Sequence, residues 1–156
     1  YMGSLQQSNA YTNTWIEFFI QQRINPQLTL AVNNRKLPAT IIKKFENLFT
    51  NLHNLLPAEK PALVHGDLWS GNLLCNSHGP VLIDPAVHFG NREADLAMTF
   101  LFGGFDLSFL DVYKHTLPLA PEFNKRLDIY NLYPLLIHVN LFGGGYATQV
   151  TATVSN

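Results

Sequence analysis

The chain has 156 residues, the usual size of one domain, and 47% of them are hydrophobic, which is enough to form a core. A formal net charge of -1 provides no basic field for nucleic acid or for an anionic membrane surface. The sequence shows neither a signal peptide nor a run of the ~20 apolar residues that a bilayer requires. The single cysteine, Cys75, excludes an internal disulfide and favours the cytoplasm.

Helical periodicity dominates the first third of the chain. The segment TWIEFFIQQR, which starts at Thr14, places its apolar residues on one helical stripe. Asn25 and Pro26 are then a typical cap and first-turn proline for a second helix that ends near Asn34. A third, amphipathic helix is predicted over 38–56, where apolar residues recur at helical spacing.

Three short apolar runs follow, at 62–65 (ALVH), 72–75 (NLLC) and 80–84 (PVLID). Turn-forming residues separate them, so the pattern predicts three short strands around a loop. Cys75 lies in the second run and is expected to be a buried strand residue, because an unpaired cysteine packs as a small hydrophobe.

After the third run the pattern is helical again. A helix is predicted over 93–102, a second one capped by Asp106, and a long one over 121–141 with a kink at Pro134. Three glycines at 143–145 end the long helix, and the pattern of the tail beyond them predicts no particular structure. The chain is therefore expected to be α+β, mostly helical, with a small β patch at about 62–84.

The polar residues of the β patch suggest a reaction. Asp67 and Asn72 have the spacing of the kinase catalytic loop, H-x-D-x-x-x-x-N, and Asp84 ends the next strand at the same edge of the patch. Carboxylate and amide oxygens suit Mg²⁺, so Asp84 and Asn72 could hold the metal. Asp67 could then accept the proton of an attacking hydroxyl. This set predicts magnesium-assisted phosphoryl transfer.

Three aromatic residues lie near this set, and two of them have two possible roles. Trp69 could stack on a substrate or pack against the domain, and we favour contact with the substrate. His88 could line the substrate pocket or be an ordinary loop histidine. His65 is expected to support the loop by bonding its backbone.

Three segments together, HGDLWSGNLL, IDPAVHFGNREADLAM and WIEFFIQQRINPQL, are similar to the fructosamine kinase (ketosamine-3-kinase) family. That family is related to the aminoglycoside phosphotransferases and has the protein-kinase-like fold. The resemblance implies an ATP- and Mg²⁺-dependent kinase of sugar-amine adducts, with Asp67 as the catalytic base and Asn72 and Asp84 as the metal ligands. It also implies that Asp95 braces the catalytic loop.

A kinase of this fold normally carries a β-rich lobe with a glycine-rich loop and a strand lysine. Residues 1–64 contain one glycine, Gly3, and are predicted to be largely helical. We therefore expect 1–156 to be the C-terminal lobe alone, without the nucleotide-binding lobe. Charged residues make up 13% of the chain, against ~25% in typical soluble domains, as expected if the missing lobe or a second copy covers an apolar face.

Other functions remain open from the sequence. The acceptor could instead be an aminoglycoside, choline or another small alcohol. The chain could also be a fragment that folds without catalysing a reaction. Metal-dependent hydrolysis by His65, Asp67 and Asp84 fits less well, because these residues lack a helical ligand pair of the H-E-x-x-H type and because Asn72 would have no role.

Overall fold

The computed structural model describes residues 1–155, with the backbone alone at Leu107, and it divides into two compact units. One unit combines Tyr1–Ala58 with the segment that starts at Leu132, and the other is Glu59–Asn131. The helices are α1 (Trp15–Phe18), α2 (Asn25–Asn33), α3 (Ile41–Leu55), α4 (Glu93–Leu101), α5 (Leu107–Thr116), α6 (Phe123–Phe142) and α7 (Gly145–Thr153). The strands are β1 (Ala62–Val64), β2 (Leu73–Asn76), β3 (Gly79–Leu82) and β4 (His88–Gly90). None of the helices within 1–155 has both the length and the apolar character needed to cross a membrane.

The first helical run begins with a capping box. The Thr14 hydroxyl accepts a hydrogen bond from the Glu17 N–H at 3.1 Å, and the Glu17 carboxylate accepts one from the Thr14 N–H at 3.1 Å. These two bonds satisfy backbone donors that have no partner within the helix. The predicted start of a helix at Thr14 is confirmed.

The predicted break before α2 is wrong. Asn25 has helical backbone angles and its N–H donates to the carbonyl of Ile20, so it does not cap a new helix. A π-helical turn, Phe19–Ile24, joins α1 directly to α2. Pro26 has no N–H to donate, but it lies in the first turn of α2, where proline is tolerated, and the helical backbone continues through it.

In the first unit, α6 packs against the first helical run through polar side chains. Asn140 Nδ2 donates to both the carbonyl and the Oε1 of Gln27 at 2.9 Å, and Lys36 Nζ donates to the Asn140 carbonyl at 2.5 Å. The predicted amphipathic helix is present as α3, with Ile41, Phe45 and Leu52 buried. The tail, for which the sequence predicts nothing, forms α7.

In the second unit, one residue from each of three helices forms a core cluster, namely Leu96, Leu110 and Phe123. A buried ion pair lies in the same unit, where the Nε and Nη2 of Arg126 each donate to the Glu93 carboxylate at 2.7 Å. Hydrogen bonding to Glu93 raises the pKa of Arg126. The predicted helices α4 and α5 are confirmed.

The β patch differs from its prediction. We expected three strands within 62–84, but the described residues form two antiparallel two-stranded sheets that extend to Gly90. The missed strand, β4, has three residues and pairs with β1, which lies far away in the sequence, so a local pattern does not reveal it. Cys75 lies in β2 as predicted, but its side chain is exposed rather than buried.

Candidate active site

The loop after β1 is clamped by the carboxylate of Asp95, which lies in α4. Asp95 Oδ2 accepts from the His65 N–H at 2.6 Å, and Oδ1 accepts from the Gly66 N–H at 2.8 Å. Burial raises the pKa of Asp95, and the two backbone hydrogen bonds oppose this shift. Asp95 thus fixes the backbone of both residues that precede Asp67, and its role as a brace of a catalytic loop stays a prediction.

His65 connects the same loop to the segment that leads to Asp84. Its Nδ1 accepts from the Asp67 N–H at 3.3 Å, and its Nε2 lies 3.0 Å from the carbonyl oxygen of Ile83. These partners require the tautomer in which Nε2 carries the proton, because a carbonyl oxygen can only accept. The Ile83 N–H in turn donates to the carbonyl of Asn72 at 3.0 Å. The residue before Asp84 is therefore bonded to both ends of the loop.

Gly66 allows the loop to pass close to the chain after β3. Its φ is +81°, and a Cβ atom built on it would lie 2.2 Å from the carbonyl oxygen of Ala86. The Ala86 N–H donates to the His65 carbonyl at 2.8 Å, which holds the two backbones together. Both the backbone angle and the lack of space therefore require glycine here.

Asp67 and Asn72, predicted to share a site, are in direct contact. The Nδ2 of Asn72 donates to the carbonyl oxygen of Asp67 at 2.9 Å and to its Oδ2 at 3.0 Å. Asn72 is buried, and its short 3₁₀ turn, Ser70–Asn72, brings it back toward Asp67. The amide thus fixes the orientation of the Asp67 carboxylate.

Asp84 has an unusual backbone. Its φ is +49°, in the left-handed region, and Pro85 follows it. A residue before proline prefers extended angles, so this conformation costs on the order of 1–3 kcal/mol and persists only because the surroundings impose it. The side chain is exposed, two residues beyond the end of β3. Such strain at a polar residue is typical of functional sites.

Carboxylate and amide oxygens, the atoms that hard cations prefer as ligands, occur in this loop and at Asp84. Both bonds from Asn72 to Asp67 use Nδ2, which leaves Oδ1 as the atom that a cation would take. Within 1–155 no group of three or more His, Cys, Asp or Glu side chains could hold a metal ion. Mg²⁺ usually binds through one or two carboxylates together with substrate phosphates, and the amide oxygen of Asn72 and the carboxylate of Asp84 are ligands of the chemical type that it uses.

Trp69 packs against the loop between α4 and α5, which the sequence does not predict to be part of the site. Its ring lies over Gly71, where a Cβ atom would approach the indole to 2.2 Å, and it meets the ring of Phe102 edge-on with centroids 5.9 Å apart. Gly104, two residues further, lies against Ser70. The adjacent glycines at 103 and 104 mark a special backbone and could have drawn attention to this loop.

His88 is buried next to the loop that contains Gly66. It belongs to β4, is 8% exposed, and its Nδ1 lies 3.2 Å from the carbonyl oxygen of Ala86. A Cβ atom on Gly66 would come within 3.1 Å of the same Nδ1. His88 therefore contacts the chain segments that shape the loop.

Comparison with known proteins extends the similarity over the whole chain. A model of the fructosamine kinase family matches residues 1–156. The chain is 43% identical over 155 residues to a probable ketoamine kinase of Vibrio parahaemolyticus, which covers 99% of this chain and 53% of that protein. It is 39% identical over 150 residues to the ketosamine-3-kinase of Mus musculus, which covers 92% of this chain and 47% of that protein. The chain thus spans about half the length of the curated relatives it matches.

The fold is similar to that of a solved structure. The chain superposes with a TM-score of 0.92 and 42% identity on the crystal structure of a candidate fructosamine-3-kinase from Thermobifida fusca. The match covers 99% of this chain and 55% of that one. The resemblance predicted from the three sequence segments is confirmed, and the chain belongs to the fructosamine kinase family.

Proposed function

We propose that the protein transfers the γ-phosphoryl group of ATP to a hydroxyl of a sugar-amine adduct, and that this chain supplies the acceptor side of the site. Membership of a kinase family supports phosphoryl transfer. The observation that carries the proposal is the contact between Asp67 and Asn72 in a loop clamped by Asp95. A carboxylate held in one orientation by a possible metal ligand suits in-line phosphoryl transfer, in which the protein mainly positions groups and stabilises charge.

In this mechanism Asp67 orients the acceptor hydroxyl and takes its proton. The hydroxyl oxygen forms a bond to the γ-phosphorus while the bond from that phosphorus to the β-phosphate oxygen breaks, so ADP leaves. Mg²⁺ bound through Asn72 and Asp84 would supply positive charge to the transferring phosphate. The hydrogen bond from Asn72 Nδ2 to Oδ2 orients the carboxylate of Asp67, and the bond from the same Nδ2 to the Asp67 carbonyl fixes its backbone.

The proposed acceptor is a ketosamine. Relatives that carry the names ketoamine, ketosamine and ribulosamine kinase support this class of acceptor. Trp69 is 36% exposed and lies two residues after Asp67, so its indole could contact the sugar. The burial of His88 favours support of the loop rather than contact with the acceptor. Profiling ketosamines against aminoglycosides and choline distinguishes the acceptor classes.

The first prediction concerns the base. In the full-length protein, Asp67→Asn should lower kcat for a ribulosamine or fructosamine by about 10²- to 10⁴-fold, the usual contribution of a general base. The amide can still accept the bond from Asn72, so the loop should keep its structure. The measurement is ATP-dependent incorporation of phosphate, with thermal unfolding to verify folding.

Asp111→Asn is the matched control, because Asp111 is an exposed aspartate on α5. It should leave both kcat and the melting temperature unchanged. Full activity of Asp67→Asn would remove Asp67 from the role of base.

A further inference from the structure

The loop between α4 and α5 packs on the catalytic loop at two points. Phe102 meets the Trp69 ring edge-on at 5.9 Å, and Gly104 lies against Ser70. Gly104 has a φ of +89°, and a Cβ atom on it would lie 2.2 Å from the Oγ of Ser70. Only glycine allows this approach, so the backbone of the α4–α5 loop packs closely against Ser70, the residue that follows Trp69.

The contacts of the indole with Gly71 and Phe102 restrict its motion. Gly71 lies so close to the ring that a Cβ atom would come within 2.2 to 2.7 Å of three of its carbons. Phe102 meets the same ring edge-on, with ring centroids 5.9 Å apart. About a third of Trp69 remains exposed. These contacts hold the indole in one orientation, and the backbone N–H of Trp69 donates to the Asp67 carbonyl at 3.1 Å, which fixes the backbone of Trp69 relative to that of the proposed base.

We propose that Phe102 and Gly104 are positioning residues for the acceptor, because they hold Trp69 as a fixed platform for the apolar C–H face of a sugar. The inference rests on the proposed function, since it assumes that a sugar hydroxyl is placed at Asp67. An ordered ring costs less entropy when the acceptor binds, and it fixes the distance from the hydroxyl to the base. The α4–α5 loop is thus a determinant of acceptor affinity.

The first measurement needs no catalytic activity. The chain has two tryptophans, so Trp15→Phe leaves Trp69 as the fluorescent reporter. In that background, Phe102→Ala should lower the fluorescence anisotropy of Trp69 and increase its quenching by acrylamide, whereas Phe102→Tyr should preserve both. Phe105→Ala is the matched control, because Phe105 lies in the same loop and its ring packs on Phe109 at 5.0 Å.

The second measurement uses the full-length protein. Phe102→Ala should raise KM for a ketosamine by about 2- to 12-fold, which corresponds to the loss of one aromatic pair, and kcat should change less than KM. KM for ATP should not change. Phe102→Tyr should restore the ketosamine KM, and Phe105→Ala should leave it as in the unsubstituted protein.

The results separate the two proposals. Unchanged Trp69 anisotropy in Phe102→Ala overturns the positioning role, whatever the acceptor. A more mobile ring with an unchanged ketosamine KM shows that the contact only stabilises the fold, and this also overturns it. Absence of ketosamine phosphorylation by the unsubstituted full-length protein contradicts the proposed function itself and removes the acceptor role of the loop with it.

Discussion

Individual residues of the loop depend on partners from several elements. Asp67 is oriented by Asn72, its backbone is bonded to His65, and His65 is held by Asp95 and Ile83. In most of these hydrogen bonds, one of the two bonded groups belongs to the backbone. Each bond nevertheless uses at least one side chain, so a substitution at Asn72, His65 or Asp95 removes a hydrogen bond that sets the geometry of the proposed base.

Asp95 is the residue whose replacement should test this brace most directly. Asp95→Asn keeps one acceptor oxygen but turns an NH₂ group toward a backbone N–H, and we expect a loss of about 1–3 kcal/mol in the free energy of unfolding. Because the pKa of Asp95 is raised in the folded protein, its carboxyl stabilises the fold most below the unfolded pKa of ~3.9 and less as the pH rises through the raised value. The penalty of Asp95→Asn should therefore shrink as the pH rises.

Urea unfolding at several pH values between about 3.5 and 7 measures this dependence. Asp128→Asn, at an exposed position of α6, is the control and should show no comparable penalty. A penalty that grows with pH would mean that the ionised form of Asp95, rather than the protonated one, is favoured by the fold.

At the scale of elements, the helices and strands that the sequence predicts well are those whose signals lie within the element itself. One example is the helical spacing of Ile41, Phe45 and Leu52 in α3. Another is the cap of α5 at Asp106. Each of these signals lies within one element, and the structure contains both. β4 and the contact between Trp69 and Phe102 join residues far apart in the chain, so no local window contains them. The candidate site shows the same difference. Its D-x-x-x-x-N spacing is local and can be predicted, whereas the contact between Trp69 and Phe102 is not local.

The capping box of α1 gives a prediction for one element. Thr14→Ala removes the hydroxyl that accepts from Glu17, and it should lower the free energy of unfolding by about 1 kcal/mol. Thr29→Ala makes the same chemical change at an exposed position inside α2, where alanine is the better helix former. Chemical denaturation should show destabilisation for Thr14→Ala alone, and equal effects of both variants would argue against the cap.

For the whole molecule, all seven residues predicted for the site lie in the unit Glu59–Asn131. Two apolar cross-strand pairs of this unit are exposed, namely Leu63 with Phe89 and Leu74 with Val81. Exposed apolar patches commonly mark interaction surfaces. They are consistent with the low charged fraction of the chain.

Nucleotide binding tests the chain as a whole. Residues 1–64 contain one glycine and no glycine-rich loop, so we expect the 156-residue chain to bind Mg-ATP more weakly than micromolar. Isothermal titration calorimetry measures this, with the full-length protein as the comparison. A Kd of about 1 µM, equivalent to roughly -8.2 kcal/mol, would show that the chain alone grips the nucleotide.

The clamp formed by Asp95 also determines when the loop can take shape during synthesis. Its carboxylate closes onto His65 across 30 positions of the chain. A ribosome releases residues in order, so the loop emerges well before its clamp and stays open until α4 has left the exit tunnel. Closing a segment of that length costs conformational entropy before any bond is gained. A nascent chain that stalls between the loop and α4 would therefore expose an unformed site to proteases.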